Sequence, residues 1–424
     1  MSNLAIHGGT AVRTRPFPTY VTIGEEEKRA VMEVLDSKVL SDFLGTWSPQ
    51  FYGGENVRKL EEEWSAYFGV KHAVTVNSAT SGLIAAVGAS GVGPGDEVIV
   101  CPYTMSASAS CVLAFNAVPV FADIDPSTFC LTAETIRARL TPRTRAVVVV
   151  DLFGLPPDMD PIMELARQHN LIVIEDSAQS PGARYRGRYA GTLADLGVFS
   201  LNYHKTIHTG EGGVVVTDRA DLAERLQLIR NHAEVVVKGK GTKNIVSMLG
   251  FNFRMTEIEA AIGREQLKKL ERLLVARVEA AEYLTERLRG LPGLTPPIVP
   301  RDVRHGWYVY AMRYDERTTG VPRARFAAAL KAEGIALSVG YVEPIYLQPM
   351  YQQQTLYGEV GCPFRCPHYK GAASYERGLC PVTERMHYHE MLGTSICHAD
   401  ITKRDLQDFT DAFGKVYEHI KELR

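Results

Sequence analysis

Between residues 72 and 217, short β-branched apolar runs alternate with stretches of helical spacing, and few folds accept that alternation. The runs occupy 72–77, 97–101, 118–122, 146–151, 171–176, 196–201 and 213–217. They are nearly continuous in Val, Ile, Leu and Ala, as in strands covered on both faces. Helical stretches such as 158–169 separate several of them. The pattern predicts an α/β fold built on a mainly parallel, seven-stranded sheet sandwiched by helices.

A long helix is predicted over 256–288, where Ile258, Ile262, Leu267, Leu270, Leu274 and Val278 recur at helical spacing. The Pro- and Gly-rich segment 290–300 ends it and reads as an interdomain connection. A smaller α+β unit follows and closes on a helix opened by the Thr402–Asp405 capping pair. Leu406, Phe409, Phe413, Val416 and Ile420 line one face of that helix. The division expected is an arm over 1–30, a large domain over 31–289 and a small domain over 290–424. Residues 350–383, rich in Pro, Cys and Tyr, read as a long loop, and long loops in compact domains are often functional.

The chain has 424 residues and a net charge of −2, which gives no electrostatic reason to bind nucleic acid or a membrane surface. No apolar run approaches the ~20 residues of a membrane helix. The opening Met-Ser-Asn-Leu-Ala-Ile-His lacks a basic region followed by an apolar one, so no secretory signal is expected. Seven scattered cysteines do not suggest a disulfide framework, and a cytoplasmic location is expected.

In open α/β sheets ligands bind beyond the carboxyl ends of the strands. After the first run come Ser78, Ala79, Thr80, Ser81 and Gly82 and then a helix, a turn that can offer free backbone N–H groups to a phosphate or simply cap the helix. The fifth run ends in Asp176, followed by Ser177, Ala178 and Gln179; such a carboxylate can pair with a heteroaromatic nitrogen or act as an N-cap. The sixth run leads through Ser200 into Asn-Tyr-His204-Lys205-Thr-Ile-His208 and then Gly210-Glu-Gly-Gly213. A lysine there can form a Schiff base if burial lowers its pKa, or can be a solvated surface residue. Together, a phosphate turn, an acid and a lysine are the three parts a pyridoxal-phosphate (PLP) site needs.

On these motifs the chain resembles the DegT/StrS family of sugar aminotransferases, which have the aspartate-aminotransferase-like type I PLP fold. The markers are Ala5-Ile-His-Gly-Gly-Thr, Gly93-Pro-Gly-Asp-Glu-Val, Ile174-Glu-Asp-Ser-Ala-Gln179, the lysine segment, and Gly250-Phe-Asn-Phe-Arg-Met-Thr-Glu257. The resemblance implies that Lys205 carries PLP as a Schiff base and then shuttles the proton, that Asp176 pairs with the pyridine nitrogen, and that Gln179 sits against the ring or its hydroxyl. Ser78, Ala79, Thr80 and Ser200 are implied at the phosphate. Asn252 is expected to reach the phosphate of the neighbouring subunit, which makes a homodimer with shared sites. The implied reaction moves an amino group from L-glutamate or L-glutamine to a keto-sugar or keto-cyclitol. One branch of the family has histidine for the lysine and performs dehydration; Lys205, directly after His204, implies transamination. A PLP-binding protein without turnover is a further alternative, and the intact Asp176 and Lys205 pair speaks against it.

The chain departs from its relatives in places. Met105 stands where many carry an aromatic ring stacked on PLP, and its thioether can pack on the same face; Tyr103 nearby can compensate. Tyr346 stands where relatives often have histidine. Tyr103, His204, His208, Tyr341 and Tyr346 are the candidate substrate contacts, and His204, His208, Glu211 and Arg254 can equally brace the lysine turn. Cys362, Cys366 and His368, with Cys380, His387 and His389, invite a metal reading, but the spacing is not that of a zinc pair, and no metal is expected. The segment 378–385 resembles the C-terminal region of relatives acting on free keto-cyclitols such as scyllo-inosose.

Overall fold

The computed structural model describes residues 4–424. The seven runs form one sheet: β1 (His72–Val76), β2 (Glu97–Val100), β3 (Val118–Phe121), β4 (Thr144–Val150), β5 (Ile172–Asp176) and, after a hairpin of β6 (Arg184–Tyr185) and β7 (Arg188–Tyr189), β8 (Leu196–Ser200) and β9 (Gly213–Thr217). Their order is β1-β9-β8-β5-β4-β2-β3. Strand β9 is antiparallel to both neighbours and the remaining pairs are parallel. Two reversals cancel, so β1 points the same way as β8, β5, β4, β2 and β3, and all their carboxyl ends open on one edge.

Burial explains the continuous apolar runs. Ala146 and Val148 of β4 face one hydrophobic core, while Val147 and Val149 face the other. Successive side chains alternate faces, so a strand buried on both sides must be apolar at every position.

The second, smaller sheet contains β10 (Leu294–Thr295), β12 (Tyr310–Tyr314), β13 (Ser338–Val339) and β14 (Met391–Thr394) in the order β10-β12-β14-β13, while β11 (Val303–Arg304) pairs with β6 instead. Phe326 and Leu330 of the Arg323–Ala332 helix and Phe409 and Phe413 of the Lys403–Glu418 helix cover it. The last helix opens on the Thr402–Asp405 capping box read from the sequence: Asp405 N–H donates to Thr402 Oγ1 at 3.2 Å and Thr402 N–H to Asp405 Oδ2 at 3.0 Å.

Packing does not follow chain order. The Glu257–Leu288 helix places Leu267 and Leu270 in a core of the large sheet and Ala281, Leu284 and Leu288 in that of the small one. The 4–24 segment straps the two together. Leu4 lies in the small core, Arg13 reaches Asp405 at 2.8 Å and Asp408 at 2.9 Å in full burial, and Tyr20 donates its hydroxyl to Thr206 O at 2.5 Å beside the lysine turn. Residues 350–383 are a cover on the large sheet, not a free loop. Tyr351, Phe364, Tyr369 and Tyr375 are buried in its core, and the hydroxyls of Tyr369 and Tyr375 donate to Glu97 and Pro119 O at 2.8 and 2.9 Å. Aromatic rings with polar tips suit this role, because each fills volume and satisfies an acceptor at once. Among the described residues all seven cysteines are free thiols, and no cluster of three or more His, Cys, Asp or Glu is arranged to hold a metal ion.

Removing one member of a buried ion pair strands the other charge at a cost of roughly 3–5 kcal/mol. Arg13→Met should destabilise the protein toward the lower end of that range, since Arg15 and Arg404 still touch Asp405 and Asp408 from the surface at 3.2 and 2.8 Å. A urea midpoint equal to that of the wild type would show that the strap does not hold the small domain.

Candidate active site

The shared carboxyl edge of the large sheet carries the site. A pocket there is lined by Ser78, Ala79 and Thr80 after β1, Met105 after β2, Asp176 at the end of β5 and Gln179 after it, Ser200 at the end of β8 and His204 and Lys205 after it, and Tyr308 and Tyr341 from beyond residue 290. Parallel strands deliver residues scattered through the sequence to one place because their ends coincide.

The turn after β1 is an anion cradle. Ser78 caps the Ala79–Ala89 helix, its Oγ accepting from Ser81 N–H at 3.0 Å. The Ala79 and Thr80 N–H groups, in the first turn, have no intrahelical acceptor, and both residues line the pocket. Gly213 opens β9 directly beneath. A Cβ there would lie 2.8 Å from Ala79 N, so glycine lets the strand pass this close to the helix start. Ser200, buried beside it, accepts Asn202 N–H at 3.3 Å and keeps its own proton for a ligand.

Asp176 is buried and has no ion-pair partner among the described residues. Its Oδ2 accepts the Ser108 hydroxyl at 2.7 Å and its Oδ1 accepts Ala178 N–H at 3.2 Å. Burial raises its pKa above the ordinary carboxylate value, against the pull of these two donors and of the Lys205 charge. Lys205 shows the opposite effect: burial lowers its amine to about 8, and Asp176 opposes the shift. A carboxylate with oriented donors, no cation of its own and an adjacent anion cradle matches the charges of PLP, whose cationic ring nitrogen and phosphate lie at opposite ends of the molecule.

Gln179 is fixed from behind. Its Oε1 accepts Phe153 N–H at 2.7 Å, and its Nε2 points to the Tyr341 hydroxyl at 3.5 Å. Met105 is 61% exposed, free to lie over a flat ligand at the pocket mouth. His204 is exposed at the rim, and partial burial lowers its pKa.

Three candidate substrate contacts do not line this pocket. Tyr103 is fully buried among Phe129, Phe153 and His387, where its hydroxyl accepts Tyr341 N–H at 2.9 Å; it holds Tyr341 in place. Tyr346 is fully buried against Phe121 and donates its hydroxyl to Glu384, so it anchors the cover segment. His208 is half-buried and absent from the pocket lining, its backbone N–H donating to Gln266 Oε1 at 3.2 Å. Asn252 is exposed outside its own chain's pocket, with Oδ1 accepting Arg254 Nε at 2.7 Å.

Other residues join the site without having been singled out in the sequence. Ser108, hidden in a run of small residues, orients Asp176. Asp151 directly follows β4 and Asp176 ends β5, so a similar strand-end signal marks it. It is fully buried, accepts the Ser177 and Ser180 hydroxyls at 2.6 Å each, and burial lifts its pKa to about 7. Tyr308 carries no local signal at all.

Residues 21–390 match the sequence model of the DegT/DnrJ/EryC1/StrS aminotransferase family. The chain is 36% identical over 445 aligned positions to the L-glutamine:2-deoxy-scyllo-inosose aminotransferase of Streptomyces lividus, with 99% of each chain covered. It is 39% identical to the GDP-perosamine synthase of Caulobacter vibrioides, over 77% of this chain and 84% of that one. Its fold matches the crystal structure of an aminotransferase from Psychrobacter cryohalolentis at a TM-score of 0.82 and 28% identity, covering 96% of this chain and all of the other.

Ser108→Ala should weaken PLP binding about tenfold, the effect of one hydrogen bond to a charged group. Asp176 must be ionised to hold a cationic nitrogen. Its raised pKa means that binding falls as the pH drops through that value, and losing the Ser108 donor moves the fall to higher pH. PLP titrations monitored by absorbance across pH check both; an unshifted acid limb would separate Ser108 from the charge of Asp176.

Proposed function

The chain belongs to the DegT/DnrJ/EryC1/StrS aminotransferase family, and from this premise we propose that it transfers the amino group of L-glutamine to the ketone of a free keto-cyclitol, using Lys205 and Asp176. The enzyme is a PLP-dependent aminotransferase of the sugar and cyclitol class. The observation that carries the assignment of roles is the placement of a burial-perturbed amine and a buried, donor-supported carboxylate in one pocket above a helix N-terminus.

The finer choice of substrate rests on two supports. The relative named for a keto-inositol aligns along this entire chain, cover segment included, whereas the one named for a nucleotide sugar aligns over 77% of it. Among the described residues the pocket lining contains Lys205 but no arginine. That lining suits a neutral polyol better than a diphosphate, and an amide donor better than one with a second carboxylate.

The Ala79 and Thr80 N–H groups, with the Ser78 and Ser200 hydroxyls, would hold the phosphate of PLP. The Asp176 carboxylate would hold the ring nitrogen, and Gln179 and Met105 would pack against the ring. Bound PLP supplies an electron sink at the carbon that loses its proton. Lys205 Nζ takes that proton from the donor α-carbon and returns one on the cofactor side, a role for which an amine lowered to about 8 is well matched near neutral pH. Tyr341 and His204 face the acceptor.

The same reading makes the active unit a homodimer in which Asn252 reaches the partner's phosphate. Its support is the position of Asn252 outside its own pocket and an apolar surface on that side that includes Leu44, Trp47, Ile245, Val246 and Leu249. No helix among the described residues is long and apolar enough to cross a membrane, and we place the enzyme in the cytoplasm.

Keto-inositols, keto-sugar phosphates and nucleotide keto-sugars offered with L-glutamine should yield an amine from the keto-inositol, read by mass spectrometry; amination of nucleotide sugars alone would overturn the acceptor assignment. Lys205→Ala should lose at least about 10³-fold in turnover while remaining folded. Asn252→Ala should weaken PLP retention by about tenfold, and unchanged affinity would count against shared sites.

A further inference from the structure

The aromatic ring beneath the Lys205 amine comes from Tyr308, 103 positions further along the chain: Nζ stands 4.5 Å from the ring centroid. A cation within ~6 Å of an aromatic face is attracted by the ring's quadrupole, most strongly where water is excluded. Tyr308 is pinned where it stands. Its N–H donates to Phe153 O at 2.9 Å, Val309 N–H donates to the same oxygen at 3.2 Å, and Gly306 N–H donates to Gly154 O at 2.7 Å. Gly154 takes a φ of +99°, and a Cβ there would lie 2.9 Å from Trp307 N, so the two backbones touch. On the other side Arg277 Nη1 holds Trp307 O at 3.0 Å. Among the described residues the Tyr308 hydroxyl makes no hydrogen bond, so what the ring offers Lys205 is its face.

We propose that the face of Tyr308 is the docking platform for the Lys205 ammonium group whenever the amine is not bonded to the cofactor, which makes Tyr308 a positioning residue for proton transfer. The inference rests on Lys205 being the cofactor lysine. Such a lysine must leave the cofactor when the donor arrives and yet stay within reach of the reacting carbon. A four-carbon stem with no partner would wander; a ring fixed by backbone bonds keeps the charged end close without a counter-ion that would hold it too tightly. The other ionisable side chains lining the pocket are Asp176, His204, Glu211 and Tyr341.

The test uses the full-length enzyme loaded with pyridoxamine 5′-phosphate, in which Lys205 is free. The pH dependence of reductive methylation at Lys205, read by peptide mass mapping, gives the ammonium pKa. Removing the ring removes a cation-stabilising contact, so the pKa in Tyr308→Leu should fall by at least about half a unit, a roughly threefold change in acidity. The rate of the half-reaction with L-glutamine should drop on the order of tenfold, with a larger isotope effect for the α-deuterated donor. Tyr308→Phe keeps the face and should match the wild type in both measurements. Should Tyr308→Leu not fold, Tyr308→Met carries the same expectation. A ringless variant with the wild-type pKa, or a Phe variant that behaves like it, would overturn the proposal. Borohydride trapping of the PLP form separates the two levels: a tag on Lys205 with an unmoved pKa defeats the Tyr308 inference alone, and a tag on another lysine defeats both.

Discussion

Burying a carboxylate away from water costs several kcal/mol unless hydrogen bonds or an opposite charge replace its hydration. Asp176 is placed in that situation with two donors and no cation of its own. The surroundings arrange what it lacks. The helix bearing Ser108 packs so that its hydroxyl reaches Oδ2, and the strand end turns so that Ala178 N–H reaches Oδ1. The nearest cation, Lys205, is itself half desolvated and inclined to lose its proton. A ligand with a cationic ring nitrogen resolves the deficit, and the same two perturbed groups that disfavour an empty pocket favour the cofactor and its chemistry.

The architecture around this site separates holding from reacting. The large sheet fixes the phosphate cradle, the carboxylate and the lysine turn on one rigid edge. Tyr308 and Tyr341 come from chain beyond the long helix and approach from the other side. The connections that bind the two parts include the shared Glu257–Leu288 helix, the buried Arg13 cluster of the N-terminal strap, and the contact of Phe153 and Gly154 with residues 306–309. The last of these adjoins the pocket, where Gln179 Oε1 accepts Phe153 N–H. Gln179 therefore joins the candidate site to the junction between the parts.

Much of this was legible in the chain. Every strand of the large sheet lies within two residues of its run, because strands buried on both faces leave a continuous apolar signal that neighbouring helices do not share. Ser78, Asp176 and Lys205 were legible for a related reason: each ends or follows a strand, and strand ends in such sheets face the ligand. Tyr103 and Tyr346 misled because proximity in sequence to a site residue says nothing about direction. Both rings turn inward, and their hydroxyls serve structural acceptors and donors. The 350–383 segment is largely as irregular as its Pro and Cys content suggested, but composition did not show that its tyrosines and Phe364 bury it against the sheet.

The sequence by itself determined the class of fold, the position of the lysine and acid at strand ends that share one edge, and the helix boundaries where caps such as Thr402 and Asp405 are written locally. These depend on periodicity and on contacts a few residues apart. Only the tertiary structure decided that Ser108 supports Asp176, that Tyr308 lies under Lys205, and that Arg13 clasps Asp405 and Asp408. Such contacts join positions separated by tens to hundreds of residues, and no local pattern encodes them; they exist because strand order and helix packing bring distant backbone to the same few ångströms.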